Sequence, residues 1–230
     1  MHGLWSKTVN KTRLYVFHPA CAAEKAGRRI LGPFPSPEPI MTRATRRQWL
    51  DAGLACLQYE GAAEFTSVRL ARRLGVTRGS FYHHFPHWEA YIRAVLDEWE
   101  EACTRQVIAA SEAATSPVEQ LGVFLDVAAG KTPALDLAIR AWAQHHAIAR
   151  EYVQRADRAR LDYAIRLCRN VAGAEEAAFF GQVAYYAFLG LQQAALAPAG
   201  PGPEDFRRHF QRLFAVMMRL TYMGYRLPPG

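Results

Sequence analysis

Beyond Met41 the apolar residues return at spacings of three and four, and no stretch alternates apolar with polar over the length of a strand. Side chains share a helix face every three to four residues and a strand face every second one. The pattern points to an all-α fold. Within Thr42–Tyr59, Leu50, Gly53, Leu54 and Leu57 stand at i, i+3, i+4 and i+7, one apolar stripe on one helix. Gly61 is expected to close that helix.

Caps and breakers divide the rest. Thr66 or Ser67 can cap a second helix carrying Val68, Leu70, Ala71 and Leu74 as far as Gly75. Thr77 caps a short third helix ending near His84, and Pro86 interrupts the chain. A long fourth helix is expected over His87–Glu112, with Ile92, Val95, Leu96, Trp99, Cys103 and Val107 along one face. Ser116–Ala129 and Pro133–His146 follow, each opened by a proline in its first turn. Ile148–Val171 is charged along one face. Glu175–Leu196 and Pro203–Tyr225, separated by the breaker Ala197-Pro-Ala-Gly-Pro-Gly, bring the expected total to nine helices.

With 230 residues, 50% of them hydrophobic and 21% charged, the chain can bury a sizeable core, which excludes disorder as its overall state. Cys21, Cys56, Cys103 and Cys168 lie tens of residues apart with no CxxC pair. That spacing argues against a zinc ribbon or a disulfide scaffold and suits a reducing, cytoplasmic location. Charge is uneven along the chain. Lys and Arg outnumber acids six to two in residues 1–40 and eight to four in 41–95, whereas 96–230 hold fourteen against fifteen. A basic front end on a neutral body suggests a polyanion partner. The uncharged stretch Ala177–Pro203 contains Gln182, Tyr185, Tyr186, Gln192 and Gln193, so it is read as a buried helix and no membrane span is expected. The run Leu14–Phe17 is too short for a secretory core. Pro33, Pro35, Pro37 and Pro39 alternate just before Met41. Residues 1–41 are therefore expected to be a flexible extension outside the fold, with Met41 a candidate initiator.

Thr66–Phe85 carries the functional signal. It reads as a two-turn helix, a glycine-containing tight turn and a short second helix, the helix-turn-helix arrangement. Ala71 is small where the helices must approach, Gly75 suits the turn, and Val76 is an apolar plug. The second helix opens with Thr77, Arg78, Gly79 and Ser80, groups able to reach base edges in a major groove. Arg69, Arg72 and Arg73 add positive charge beside them.

From Arg46 to Tyr91, and above all in Leu74-Gly75-Val76 and Thr77-Arg78-Gly79-Ser80-Phe81-Tyr82-His83-His84-Phe85, the chain resembles the TetR-type (TetR/AcrR-like) transcriptional regulators. The resemblance implies a three-helix DNA-binding domain over residues 42–102, with its motif at 66–85, and a larger helical ligand-binding and dimerisation domain over 103–230. It implies a ligand-responsive homodimeric repressor on a palindromic operator of double-stranded DNA. Thr66 and Ser67 would bond phosphates. Thr77, Arg78, Gly79 and Ser80 would face bases or nearby phosphates, and Tyr82 and His83 would contact the DNA backbone and sugars. His84 would bridge the motif to the first helix. Trp88 stands where the family usually has a phosphate-binding lysine, so its indole N–H or the helix amides would have to substitute.

The resemblance also implies a small-molecule effector pocket in the C-terminal part. Phe124, Trp142, His145, Tyr163 and Tyr186 are candidate lining residues, large amphipathic groups on different helices. The last two helices are apolar on more than one face. Phe180, Val183, Ala184, Ala187 and Leu191 form one stripe, while Phe179, Tyr186 and Gly190 form a second, which suggests dimerisation through both helices. No catalytic loop, phosphate cradle or metal-ligand cluster is recognisable, so neither an enzyme, a cofactor nor a metal is expected. The alternative from another class is a helical protein that binds a cofactor or processes a small molecule, its helix-turn-helix serving only packing.

Overall fold

Thr45 sets the start of helix α1 (Arg46–Tyr59). Its Oγ1 accepts from the Gln48 N–H at 3.2 Å, and the Gln48 side chain accepts from the Thr45 N–H at 2.8 Å. This reciprocal cap satisfies amides that the helix itself leaves without partners. The computed structural model describes residues 43–131, 133–172, 177–197 and 199–223. The expected stripe of α1 is buried throughout, and Gly61, at φ 85°, makes the turn that ends the helix.

Helices α2 (Ser67–Arg73) and α3 (Arg78–His84) follow, with Thr66 and Thr77 at their N-caps. Gly75 joins them at φ 65°, a left-handed conformation that costs a residue with a Cβ. The Val76 N–H then bonds the Ala71 carbonyl at 3.0 Å, and the Val76 side chain is buried as the expected plug.

The long fourth helix is present but not uniform. Helix α4 (Trp88–Glu100) runs through a π-helical segment, Glu101–Arg105, into α5 (Gln106–Glu112). Counting α4 to α5 as one rod, the described residues form the nine helices expected and no strand. Ser116 caps α6 (Pro117–Ala129) by accepting from the Glu119 N–H at 3.2 Å. Helix α7 (Pro133–Ala143) stops short of the expected His146. The long α8 (Ala147–Ala172), α9 (Ala177–Ala194) and α10 (Pro203–Tyr222) complete the chain. Helix α7 packs on both α1 and α8, and α8 lies along α9. One core cluster runs unbroken from α1–α4 into α7 and α8, while a second gathers Leu125, Phe206 and Phe210 between α6, α9 and α10.

On α9 the first apolar stripe turns inward, whereas Phe179, Tyr186 and Gly190 are exposed. Phe206 and Phe210 of α10 are buried, and Leu213 and Phe214 are half-buried. The expected extension at 1–41 and the end of the last helix at Tyr225 lie outside the described residues. Among the described residues no helix is long and apolar enough to cross a membrane.

Candidate nucleic-acid face and buried cavity

Phe81 holds the short helix α3 in place. It is 1% exposed, with ring centroids 5.3 Å from Trp49, 5.3 Å from Tyr91 and 5.7 Å from Trp88. Burying one aromatic residue fixes which neighbours face out. Thr77, Arg78, Gly79, Tyr82 and His83 are all exposed. Arg78 and Tyr82 stand one turn apart. The guanidinium lies 5.8 Å from the Tyr82 ring centroid, and its Nη2 donates to the Tyr82 hydroxyl at 3.2 Å. Thr66 is exposed as the cap of α2, its Oγ1 accepting from the Arg69 N–H at 3.3 Å, and Ser67 is half-buried beside it.

The other expected contacts sit differently. Arg69 is exposed, but its Nε pairs with Glu60 at 3.1 Å and Glu64 at 2.8 Å, drawing its charge toward the end of α1. Arg73 also pairs with Glu60. Ser80 is buried, its hydroxyl without a partner. Trp88 is half-buried in the aromatic cluster, its centroid 5.1 Å from both Phe65 and Tyr91. His84 Nε2 lies 2.6 Å from the Ala44 carbonyl, which ties the motif to the lead-in of α1 as the sequence suggested. His87 caps α4, its Nδ1 accepting from the Ala90 N–H at 3.1 Å.

Between α5, α6, α8, α9 and α10 lies a cavity of about 90 Å³. Its wall is mostly aliphatic and aromatic, with Phe124, Ala184 and Phe210 typical of it. Of the five residues expected to line such a pocket, Phe124 does so. The other four lie elsewhere. Trp142 stands edge-on to Phe65, centroids 5.4 Å apart, where α7 packs on α1 just ahead of the helix-turn-helix. Tyr163 is buried, its hydroxyl donating to Ser111 Oγ at 2.5 Å. His145 and Tyr186 are exposed. Aromatic character alone does not separate the cavity wall from other surroundings, because a ring can equally be packed against a neighbouring helix, as Trp142 and Tyr163 are, or left exposed, as Tyr186 is.

In the polar part of the wall, Thr104, Asp136, Arg160 and Tyr185 belong to a charge network that continues behind it through Arg140 and Asp157 and that aromatic content does not reveal. Arg160 donates from Nε to Thr104 Oγ1 and from Nη2 to Asp136 Oδ1, both at 2.9 Å. Arg140 Nε holds the other Asp136 oxygen at 2.8 Å, and its Nη1 reaches Asp157 at 2.9 Å. The Tyr185 hydroxyl donates to Asp157 at 2.6 Å. Burial alone would raise the Asp136 carboxyl, but Arg160 and Arg140 outweigh it and hold the group below the ordinary carboxylate range. Burial pushes the Cys103 thiol, on the π segment at the cavity wall, up to about 11. The legible hint was Asp136 and Arg140 at i, i+4 within an otherwise apolar helix.

Residues 50–95 match the model of the family described as bacterial regulatory proteins, tetR family. No curated protein matches the chain. Among solved structures, one described as a transcriptional regulator from Pseudomonas aeruginosa PAO1 is 14% identical, covers 78% of this chain and 93% of its own, and superimposes with a TM-score of 0.65. One described as a regulator from Saccharomonospora viridis, solved with choline, is 15% identical over 74% of this chain and 95% of its own, TM-score 0.62. The ketosteroid transcriptional regulator KstR2 of Mycobacterium tuberculosis is 16% identical over 79% and 97%, TM-score 0.52. At such identities the likeness speaks for the fold, while residues 50–95 speak for the family. Residues 50–95 thus carry the DNA-binding domain of the tetR family of bacterial regulatory proteins, set in an all-α chain whose fold is that of the solved regulators.

Proposed function

We propose that this regulator is a ligand-responsive repressor, acting in the cytoplasm as a homodimer on a palindromic operator. The observation that carries the reading is the outward face of α3, where Arg78 and Tyr82 stand exposed on a helix anchored by Phe81. Arg78 and Thr77 would read base edges beside Gly79, whose lack of a side chain allows close approach. Thr66, Ser67, Tyr82 and His83 would position the helix on phosphates and sugars. Ser80 and Trp88 are given packing roles, and Arg69 a long-range electrostatic one.

Two supports favour a dimer and an effector. Phe179 and Tyr186 on α9 are 49% and 61% exposed, and Val216 on α10 is 56% exposed, an apolar surface suited to a four-helix interface with a second copy. The cavity gives an effector a place to bind, and the choline found in the Saccharomonospora neighbour is a small molecule held on the same fold. We take residues 42–102 as the DNA-binding part and 103–230 as the regulatory part, the division falling in the π segment. Cys103 and Thr104 of that segment line the cavity, while Trp88 at the other end of the rod packs on Phe81 under α3. An effector that binds the DNA-incompetent arrangement more tightly would shift the rod and weaken operator affinity.

Fluorescence anisotropy against duplexes tiling the DNA upstream of its own gene tests this. Salt-sensitive binding to one palindrome, surviving scrambled competitor, is the expected result. Arg78→Ala should cost about 1–3 kcal/mol of specific binding, a loss of about fivefold to 150-fold. Unchanged affinity and selectivity in that variant would remove Arg78 from the reading surface.

A further inference from the structure

The cavity wall contains a charged donor with nothing to donate to. Arg160 is 5% exposed, and two of its nitrogens are bonded to Thr104 and Asp136, yet its buried Nη1 has no partner. Gln192, 8% exposed and in the same wall, has Oε1 likewise unpartnered. A buried N–H left without an acceptor costs on the order of 1–3 kcal/mol, and more when charged. Such groups are rare in native structures and are expected where something other than the chain supplies the partner.

The charges around the cavity choose the sign of that partner. Lys131, Asp136 and Arg160 line it, Asp136 is shared with Arg140, and Arg140 is answered by Asp157. Three cations thus meet two carboxylates, leaving a surplus of one positive charge. A ligand carrying one negative charge balances the surplus, a neutral one leaves it, and a cation adds to it. A hydrogen bond from the remaining guanidinium nitrogen, Nη1, to a carboxylate oxygen is charge-assisted on both sides and so stronger than one to a neutral carbonyl. Gln192 can turn its amide to present either Nε2 or Oε1.

We propose that the cavity binds a small apolar carboxylate. Its hydrocarbon body lies among Phe124, Ala184 and Phe210, and one of its oxygens accepts from Arg160 Nη1. The proposal rests on reading the cavity as the effector site and adds the chemical class of the effector.

Titration calorimetry and thermal melting of the full chain with hexanoate, hexanamide and hexylammonium test it. Hexanoate is expected to bind at least about tenfold more tightly than hexanamide, the margin of a charge-assisted hydrogen bond, and hexylammonium is expected not to raise the melting temperature. Arg160→Gln should erase the preference for hexanoate over hexanamide. Because that variant also unsettles Asp136, Ala184→Leu serves as the second: it fills the cavity with methyl groups and should abolish hexanoate binding while the circular dichroism spectrum stays helical. Equal binding of acid and amide, tighter binding of the ammonium, or hexanoate binding undiminished in Ala184→Leu would overturn the proposal. Operator affinity read in the same samples separates this from the regulatory reading. Hexanoate bound with no change in operator affinity upholds the ligand class and overturns the effector role. Operator release by the amide or the ammonium alone overturns the ligand class and leaves the regulator intact.

Discussion

Phe81→Ala is expected to destabilise the protein by about 3–5 kcal/mol and to abolish specific operator binding, although the ring it removes is buried in the core. Phe81 is the residue through which a seven-residue helix is held. Helix α3 is too short to be stable alone, so its position depends on packing. That packing is Phe81 against Trp49, Tyr91 and Trp88, with Phe85 at 5.4 Å. An alanine there leaves a hole in a dense aromatic cluster, whose rings cannot collapse without tilting. The consequence reaches Arg78 and Tyr82 on the other side of the helix, because base contacts tolerate little displacement. Differential scanning calorimetry and anisotropy on the same preparations measure both effects. Tyr82→Phe is the control: with Tyr82 51% exposed, it should melt like the wild type. A Phe81→Ala variant that melts and binds like the wild type would show that α3 is positioned by something other than this ring.

Asp136→Asn should cost a comparable amount, about 3–5 kcal/mol, because it removes the anion from a buried pair while leaving the cation behind. Asp136 is 3% exposed and bonded by both Arg140 and Arg160, and Arg160 is itself 5% exposed. For a chain of this length the loss corresponds to a fall in melting temperature on the order of 10 °C. The pH dependence follows the same charges. The folded-state affinity of Asp136 for a proton is lowered, so its contribution is fully present above the unfolded carboxylate value, about 4. It is lost as pH falls from there through the lower folded value. Acid unfolding followed by circular dichroism should therefore be shallower in Asp136→Asn than in the wild type below about pH 4. Parallel acid limbs, or an unchanged melting temperature at neutral pH, would mean that the pair contributes nothing net.

The helices were legible because period, caps and breakers are local. Leu50, Gly53, Leu54 and Leu57 announce a face, Thr66, Thr77 and Ser116 announce starts, and Gly61 and Gly75 announce the turns, whereas the first helix begins at Arg46 behind Thr45 rather than at Thr42. Thr77, Arg78, Gly79, Tyr82 and His83 were legible as outward residues from the helix-turn-helix pattern and the family resemblance, and they are exposed. Ser80 and Trp88 were not, because a hydroxyl and an indole at the edge of a motif can face either way until the neighbouring helix arrives. Trp142 shows the same ambiguity over a longer distance. It lies far from Phe65 in sequence, and only the packing of α7 on α1 brings the two rings together.

By itself, then, the sequence determined an all-α chain with a helix-turn-helix near its start, because those properties are set by neighbours within a few residues. The cavity, its Arg160–Asp136–Arg140–Asp157 network and the π turn facing it were decided by tertiary structure. A buried charge is tolerated only where a partner from another helix meets it, and α7 and α8 supply those partners only once they are packed side by side.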